Sequence, residues 1–154
     1  MTRSFDIGLT MAGAISAGAY TAGVMDFFFE ALDSYYKARS RPDWDGPTHD
    51  VRIPIMSGAS AGGMTSAICA LHAFHDRFDH VWPQDAARRL PDRRRNRLYA
   101  SWVDDIDMRR LLETSDIDAA PPNASVRSLL CCDVIDQIVH DAFDIEGGLV
   151  AREW

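Results

Sequence analysis

Gly58-Ala59-Ser60-Ala61-Gly62 is a G-x-S-x-G pentapeptide, the pattern that exposes a serine hydroxyl on a sharp strand-to-helix turn. Small residues two before and two after the serine let the backbone pass close to itself without a Cβ clash. A helix starting behind it would aim the N–H groups of Ala61 and Gly62 at negative charge developing on a substrate oxygen. The chemistry implied is nucleophilic acyl transfer from Ser60; the plainer reading is a Gly/Ser turn that only starts a helix. A second glycine-rich stretch, Gly13-Ala14-Ile15-Ser16-Ala17-Gly18, has the G-x-x-x-x-G spacing of a phosphate loop, but Ala19 and Tyr20 follow where Lys and Ser/Thr are required. No G-x-G-x-x-G is present either, so nucleotide binding is excluded on both patterns. What remains is a loop between strand and helix whose backbone donors can form the second half of an oxyanion hole, or a tight turn packed through small residues.

The elements around both loops have the required order. Phe5 to Met11 is a short apolar run suited to a buried strand. From Gly18 to about Arg39, Tyr20, Val24, Phe27, Phe28, Ala31, Leu32 and Tyr35 recur at helical spacing. Ser40 to Asp50 reads as a surface loop, and Val51 to Met56 as a second strand in which Pro54 fits only near an end or an edge. After the pentapeptide, Ile68, Leu71, Phe74, Phe78, Val81 and Trp82 share one helical face. Pro83 to Asn96 reads as an irregular Arg-rich excursion, Asp104 to Glu113 as short helix, and Val126 to Phe143 as a helix aligning Leu130, Val134, Ile138 and Ala142. Leu149 to Ala151 is the one further strand candidate. Strand, helix, strand, helix predicts α/β with a parallel sheet and right-handed crossovers. Two strands do not complete such a sheet, so residues 1–154 are expected to be the N-terminal portion of a single domain.

Other residues offer rival chemistry. His140 beside Asp141 is the base candidate for a Ser-His-Asp system by chain order, against a plain helix-end histidine. His72, His75, Asp76, Asp79 and His80 fall on one side of the predicted helix at spacings suited to metal ligation, but a solvated face near a helix C-terminus explains them as well. Arg88, Arg89, Arg93, Arg94, Arg95 and Arg97 form a basic run: a solvated loop, or a contact for anionic lipid headgroups at roughly 1 kcal/mol per charge.

Composition narrows the classes. The 154 residues are 47% hydrophobic and 25% charged, which is too apolar for a disordered chain. The formal charge of -7 argues against nucleic acid as a partner. Three cysteines, two of them adjacent at Cys131 and Cys132 with Cys69 left over, suit a reducing, cytoplasmic setting rather than a disulfide framework. Ile7 to Met25 carries no charge, yet its Gly/Ala/Ser/Thr centre and the preceding Asp6 are wrong for a signal peptide or membrane span.

The glycine-rich loop after the first strand, the Gly23-Val24 pair, and Gly58-Ala59-Ser60-Ala61-Gly62-Gly63 after the second strand resemble the patatin-like lipid acyl hydrolases over about residues 5 to 80. The resemblance implies a three-layer α/β fold and a Ser-Asp dyad without histidine. It makes Ser60 the catalytic nucleophile and places Gly13, Ala14 and Ile15, with Ala61, in the oxyanion hole. The family usually has three glycines at positions 13 to 15 and Arg or Lys at position 17, where this chain has Ala17. Its aspartate lies in a downstream Asp-Gly-Gly or Asp-Gly-Ala turn that this sequence does not contain, so no catalytic aspartate is assigned. The function implied is hydrolysis of phospholipid or other carboxylic esters, with peripheral membrane contact and no metal or organic cofactor. The alternative is a truncated, non-catalytic α/β module that binds lipid or a protein partner.

Overall fold

A computed structural model describes residues 3–14, 18–76, 78–81, 93–118, 120–121, 123–125, 128–144 and 147–154. Strand β1 (Ser4–Met11) leads through the glycine-rich loop into helix α1 (Gly18–Arg39), then strand β2 (Asp50–Gly58) and helix α2 (Ala61–Ala73). A 3-10 turn at Arg93–Arg95 precedes α3 (Arg97–Tyr99), which runs into a π-turn at Ala100–Asp104. Helices α4 (Met108–Leu111), α5 (Ser115–Asp118) and α6 (Asp133–Phe143) follow. The fold class is α/β, as the element order predicts, with β1 and β2 paired in parallel.

Pairing runs from Ser4 opposite Asp50 to Met11 opposite Gly58, with one irregularity: Asp6 faces Arg52, and Gly8 already faces Ile55. The extra residue falls at Ile53–Pro54. A proline has no N–H to give a ladder, and a bulge is where its absence costs least. Pro54 therefore lies inside β2, at a break in register, on a strand that is an edge of the described pair.

One face of the pair is covered. Ile7, Leu9, Met11, Val51, Ile53 and Met56 pack against Met25, Phe28, Phe29, Leu32 and Tyr36 of α1 and Ile68 and Cys69 of α2. Tyr36 ties the layers by donating its hydroxyl to the Val51 carbonyl at 2.9 Å and accepting the Val51 N–H at 2.8 Å. The opposite face, with Asp6, Gly8, Thr10, Arg52, Ile55 and Ser57, is exposed among the described residues.

Four helix assignments need correction. In α1 the buried stripe is Ala22, Met25, Phe29, Leu32 and Tyr36, while Tyr20, Val24 and Phe27 of the predicted stripe stand 76%, 48% and 68% exposed. The helix is apolar on most sides, so spacing alone could not select the buried one. Helix α2 stops at Ala73 rather than running to Trp82, which lies outside the described residues. His75 forms an antiparallel bridge with Leu149, the Val150 N–H donates to the Phe74 carbonyl at 2.7 Å, and Arg152 donates to the Ala73 and His75 carbonyls. A returning segment thus takes the carbonyls that another helical turn would have used. That bridge is what the Leu149 to Ala151 strand candidate becomes. Helix α6 begins at Asp133 instead of Val126; Val134, Ile138 and Ala142 are buried as aligned, but Leu130 is outside the helix and exposed. The Asp104 to Glu113 helix reduces to α4, whose N–H at Arg109 is capped by the Asp107 carboxylate at 2.8 Å. No helix among the described residues is long and apolar enough to cross a membrane.

Candidate active site

Ser60 sits between the end of β2 and the first turn of α2 with φ 52° and ψ -124°. Among the described residues it is the one non-glycine at positive φ, a conformation that costs a residue with a Cβ about 1–3 kcal/mol. Its side chain is exposed. Strain of this kind at an accessible hydroxyl, on a strand-to-helix turn, is the geometry of a nucleophile elbow.

Glycines on three chain segments make the turn possible. A Cβ on Gly58 would lie 2.3 Å from the backbone of Gly62, and one on Gly62 would lie 2.2 Å from the Met11 carbonyl oxygen and 2.7 Å from that of Ala12. A Cβ on Gly13 would meet the Ala59 oxygen at 3.0 Å and the Ser60 Cβ at 3.1 Å. The loop after β1 therefore crosses directly over the serine turn. The Ala59 N–H donates to the Met11 carbonyl at 3.2 Å, extending the ladder into the site. Behind Ser60, Thr65 and Ser66 donate their hydroxyls to the Ala61 and Gly62 carbonyls at 2.8 and 2.7 Å, and both side chains are buried.

The structure brings Gly13 and Ser60 together, with Ala61 next in the chain. Ala14 follows Gly13 in the same loop, and Ile15 lies outside the described residues. Gly62 is a correction: its N–H donates to the Ala59 carbonyl at 2.9 Å, so it closes the turn instead of offering a donor to substrate. Sequence spacing identified this glycine for its small size; the backbone that needs the space belongs to Met11 and Ala12, about fifty residues earlier.

His140 is on the exposed side of α6, its Nδ1 3.4 Å from the carboxylate of adjacent Asp141, with its side chain 73% exposed. No histidine or carboxylate among the described residues is hydrogen-bonded to Ser60. The predicted histidine face is also redrawn, because α2 ends before most of it. His72 is buried, and burial, with the charges of His75 and Arg97, pushes its pKa down to about 3. The Asp76 carboxylate accepts the Gly148 N–H at 3.3 Å, and Asp79 pairs with Arg95 at 3.0 Å. Among the described residues no three such side chains are grouped to hold a metal ion. Of the arginine run, Arg88 and Arg89 and the Arg93 side chain lie outside the described residues. Arg95 is committed to Asp79, and Arg97 reaches the Asp144 carbonyl at 3.4 Å.

A feature not read from sequence is the acidic pair of α1. Asp26 accepts from His80 at 2.9 Å and from the Val81 N–H at 3.0 Å. Asp33 lies 3.6 Å from the other His80 nitrogen and accepts from Trp154 at 2.8 Å and Arg152 at 3.3 Å. The Trp154 ring stacks on Phe29 at 5.0 Å. These bonds hold the chain beyond α2 and the returning segment against α1. Burial pulls the His80 pKa down, but the hydrogen bonds and charges of Asp26 and Asp33 outweigh it and raise it to about 9. Since the folded pKa exceeds the ordinary 6.5, this stabilisation is complete below pH 6.5 and is lost as pH rises toward 9. It amounts to about 2 kcal/mol after solvent screening. Thermal melting followed from pH 6 to pH 9.5 should show Tm falling across that window, with the fall flattened in His80→Gln; parallel curves would remove the network from the stability balance.

Over residues 9–146 the sequence matches the family described as patatin-like phospholipase. The chain belongs to the patatin-like phospholipase family. It is 37% identical over 158 residues to the uncharacterized protein y4iI of Sinorhizobium fredii (strain NBRC 101917 / NGR234), an alignment covering 98% of this chain and 22% of the relative. The chain thus spans about a fifth of the length of that curated relative. No solved structure matches. The α/β arrangement, with a parallel strand pair and, among the described residues, no closed barrel, is consistent with a patatin-like fold. The family generally comprises esterases and phospholipases.

Proposed function

We propose that this patatin-like chain carries the nucleophile of a serine-dependent lipid acyl hydrolase. The observation that carries the reading is the strained, exposed Ser60, held by three glycine contacts at the crossing of β1, β2 and α2. Ser60 Oγ attacks the carbonyl carbon of a phospholipid or other carboxylic ester. The carbonyl oxygen becomes an oxyanion facing backbone N–H groups of the oxyanion hole, assigned to Gly13, Ala14, Ile15 and Ala61. The tetrahedral species collapses, the alcohol leaves with a proton, and the acyl group stays on Ser60 until water cleaves it. None of these steps needs a metal or organic cofactor. The proton acceptor is left unassigned: the downstream Asp-Gly-Gly or Asp-Gly-Ala turn is not in this sequence. The free thiols of Cys69, Cys131 and Cys132 favour a reducing compartment, and we place the protein in the cytoplasm with peripheral contact to lipid.

A fluorophosphonate probe tests the assignment, because it reacts with an activated serine and leaves an inert turn untouched. The intact protein should carry one adduct, located on the peptide containing Ser60 by mass spectrometry, and Ser60→Ala should carry none. Labelling elsewhere, or no labelling, would sink the assignment. The second outcome is what a non-catalytic lipid- or partner-binding module would give.

A further inference from the structure

Helix α2 buries two consecutive hydroxyls directly behind the serine turn. Thr65 is fully buried and Ser66 nearly so, in a helix that also buries Ile68, Cys69 and Ala73. Each donates to the carbonyl four residues earlier, Thr65 to Ala61 at 2.8 Å and Ser66 to Gly62 at 2.7 Å. A helix carbonyl already receives an N–H from four residues on, so neither hydroxyl is needed to complete the ladder. Back-bonding of this kind slightly destabilises and bends a helix, and a buried hydroxyl costs more than an apolar group filling the same space. Packing alone favours valine or alanine at both positions.

The two bonds lead to different places. The Ala61 carbonyl and the Gly62 N–H are the two ends of one peptide unit, and that N–H donates to the Ala59 carbonyl at 2.9 Å. This bond closes a turn with Ser60 in its first central position, at the φ 52° and ψ -124° of a type II′ turn. Glycine is the residue favoured there, so Ser60 keeps the conformation only while its surroundings over-determine it. A hydrogen bond to the carbonyl end of a peptide unit polarises the unit and strengthens the bond made by its N–H end. Thr65 thus heads a chain, hydroxyl to Ala61 carbonyl and then Gly62 N–H to Ala59 carbonyl, that spans Ser60. We propose that Thr65 is a positioning residue for the nucleophile: its buried hydroxyl tightens the turn that aims Ser60 and the adjoining Ala61 N–H at the substrate. This role rests on Ser60 as nucleophile. Ser66 reaches the Gly62 carbonyl, whose peptide unit ends in the Gly63 N–H outside the bond that closes the turn, and is the internal control.

Exchanging the side chain at position 65 separates hydroxyl from methyl group. Thr and Ser carry the hydroxyl, Thr and Val fill the methyl space, and Ala has neither. In hydrolysis of p-nitrophenyl butyrate by the intact protein, Thr65→Val and Thr65→Ala should each lose about tenfold or more in kcat, as misplaced reacting groups do. KM should stay within about twofold, since the interaction lost is one made in the transition state. Thr65→Ser and Ser66→Ala should keep kcat within about twofold of wild type. Melting temperatures should sort differently, with Thr65→Val at or above wild type and both Thr65→Ser and Thr65→Ala below it, because a buried methyl group is lost. Isotopic labelling of glycine nitrogen supplies a readout free of catalysis: the Gly62 amide proton should move upfield and exchange faster with solvent in Thr65→Val than in Thr65→Ser. Activity that follows melting temperature, a Ser66→Ala loss as large as that of Thr65→Val, or a Gly62 amide unchanged in Thr65→Val would overturn the positioning role while leaving Ser60 labelling intact. A wild-type Ser60 that never takes the fluorophosphonate would overturn the nucleophile and the positioning role with it, even where a shifted Gly62 amide showed the turn to be clamped.

Discussion

Replacing Ser60 by glycine should make the protein more stable and inactive at once. At φ 52° and ψ -124° a side chain is strained and glycine is not, so Ser60→Gly should raise the free energy of unfolding by about 1–2 kcal/mol. Ser60→Ala keeps a Cβ in the same conformation and should leave stability within about 0.5 kcal/mol of wild type. Ester hydrolysis should fall in both by about four to six orders of magnitude, the usual scale of losing a serine nucleophile. Denaturant unfolding of the three proteins, with hydrolysis of a short-chain ester alongside, separates strain from chemistry. A Ser60→Gly variant no more stable than Ser60→Ala would mean that the backbone stores no strain at this turn. Retained hydrolysis in either variant would remove Ser60 from the mechanism.

Gly62→Ala should be the most damaging of the small substitutions near the site. Its Cβ would stand 2.2 Å from the Met11 carbonyl oxygen and 2.6 Å from the Met11 carbonyl carbon. Backbone cannot rotate away as a side chain can, so the end of β1 and the start of α2 must separate. Overpacking against main chain at such a distance should cost about 3 kcal/mol or more. The same movement carries Gly13 away from Ser60, so residual activity should drop by a larger factor than the folded fraction does. Gly23→Ala is the contrasting case: nothing lies within 4 Å of its added Cβ, and it sits inside α1, where alanine is favoured over glycine by about 1 kcal/mol. Urea midpoints should therefore move in opposite directions for the two alanines. A Gly62→Ala protein as stable as wild type would show that the crossing of β1 over the elbow is loose.

The order of the four leading elements and the strand-to-helix turn at Ser60 are legible without coordinates because both depend on neighbours in the chain. Apolar runs of five to seven residues, turns rich in glycine, and a serine flanked by small residues are local patterns, and the observed β1, α1, β2 and the start of α2 fall where those patterns put them. The predicted continuation of α2 beyond Ala73 does not form: helical spacing runs on through Phe78 in the sequence, while the groups that take up the backbone there are the Gly148 carbonyl, the Val150 N–H and the Arg152 guanidinium. The buried side of α1 could not be chosen from a helix with apolar residues nearly all round; the position of the strand pair chose Phe29 and Leu32 over Phe27 and Val24. His80 looked like a solvated helix residue, and became a cation between two carboxylates only because folding brings Asp26 and Asp33 to it from half a hundred residues away. Gly62 belongs to both halves of the account. Its small size was readable in the pentapeptide, but whether its N–H served substrate or the turn depended on where the Ala59 carbonyl pointed, and its need to be glycine depended on Met11 passing overhead. Local sequence determined which residues could do chemistry. Contacts between distant segments decided which of them are free to do it, because burial, charge and hydrogen bonding are set by whatever the fold places alongside.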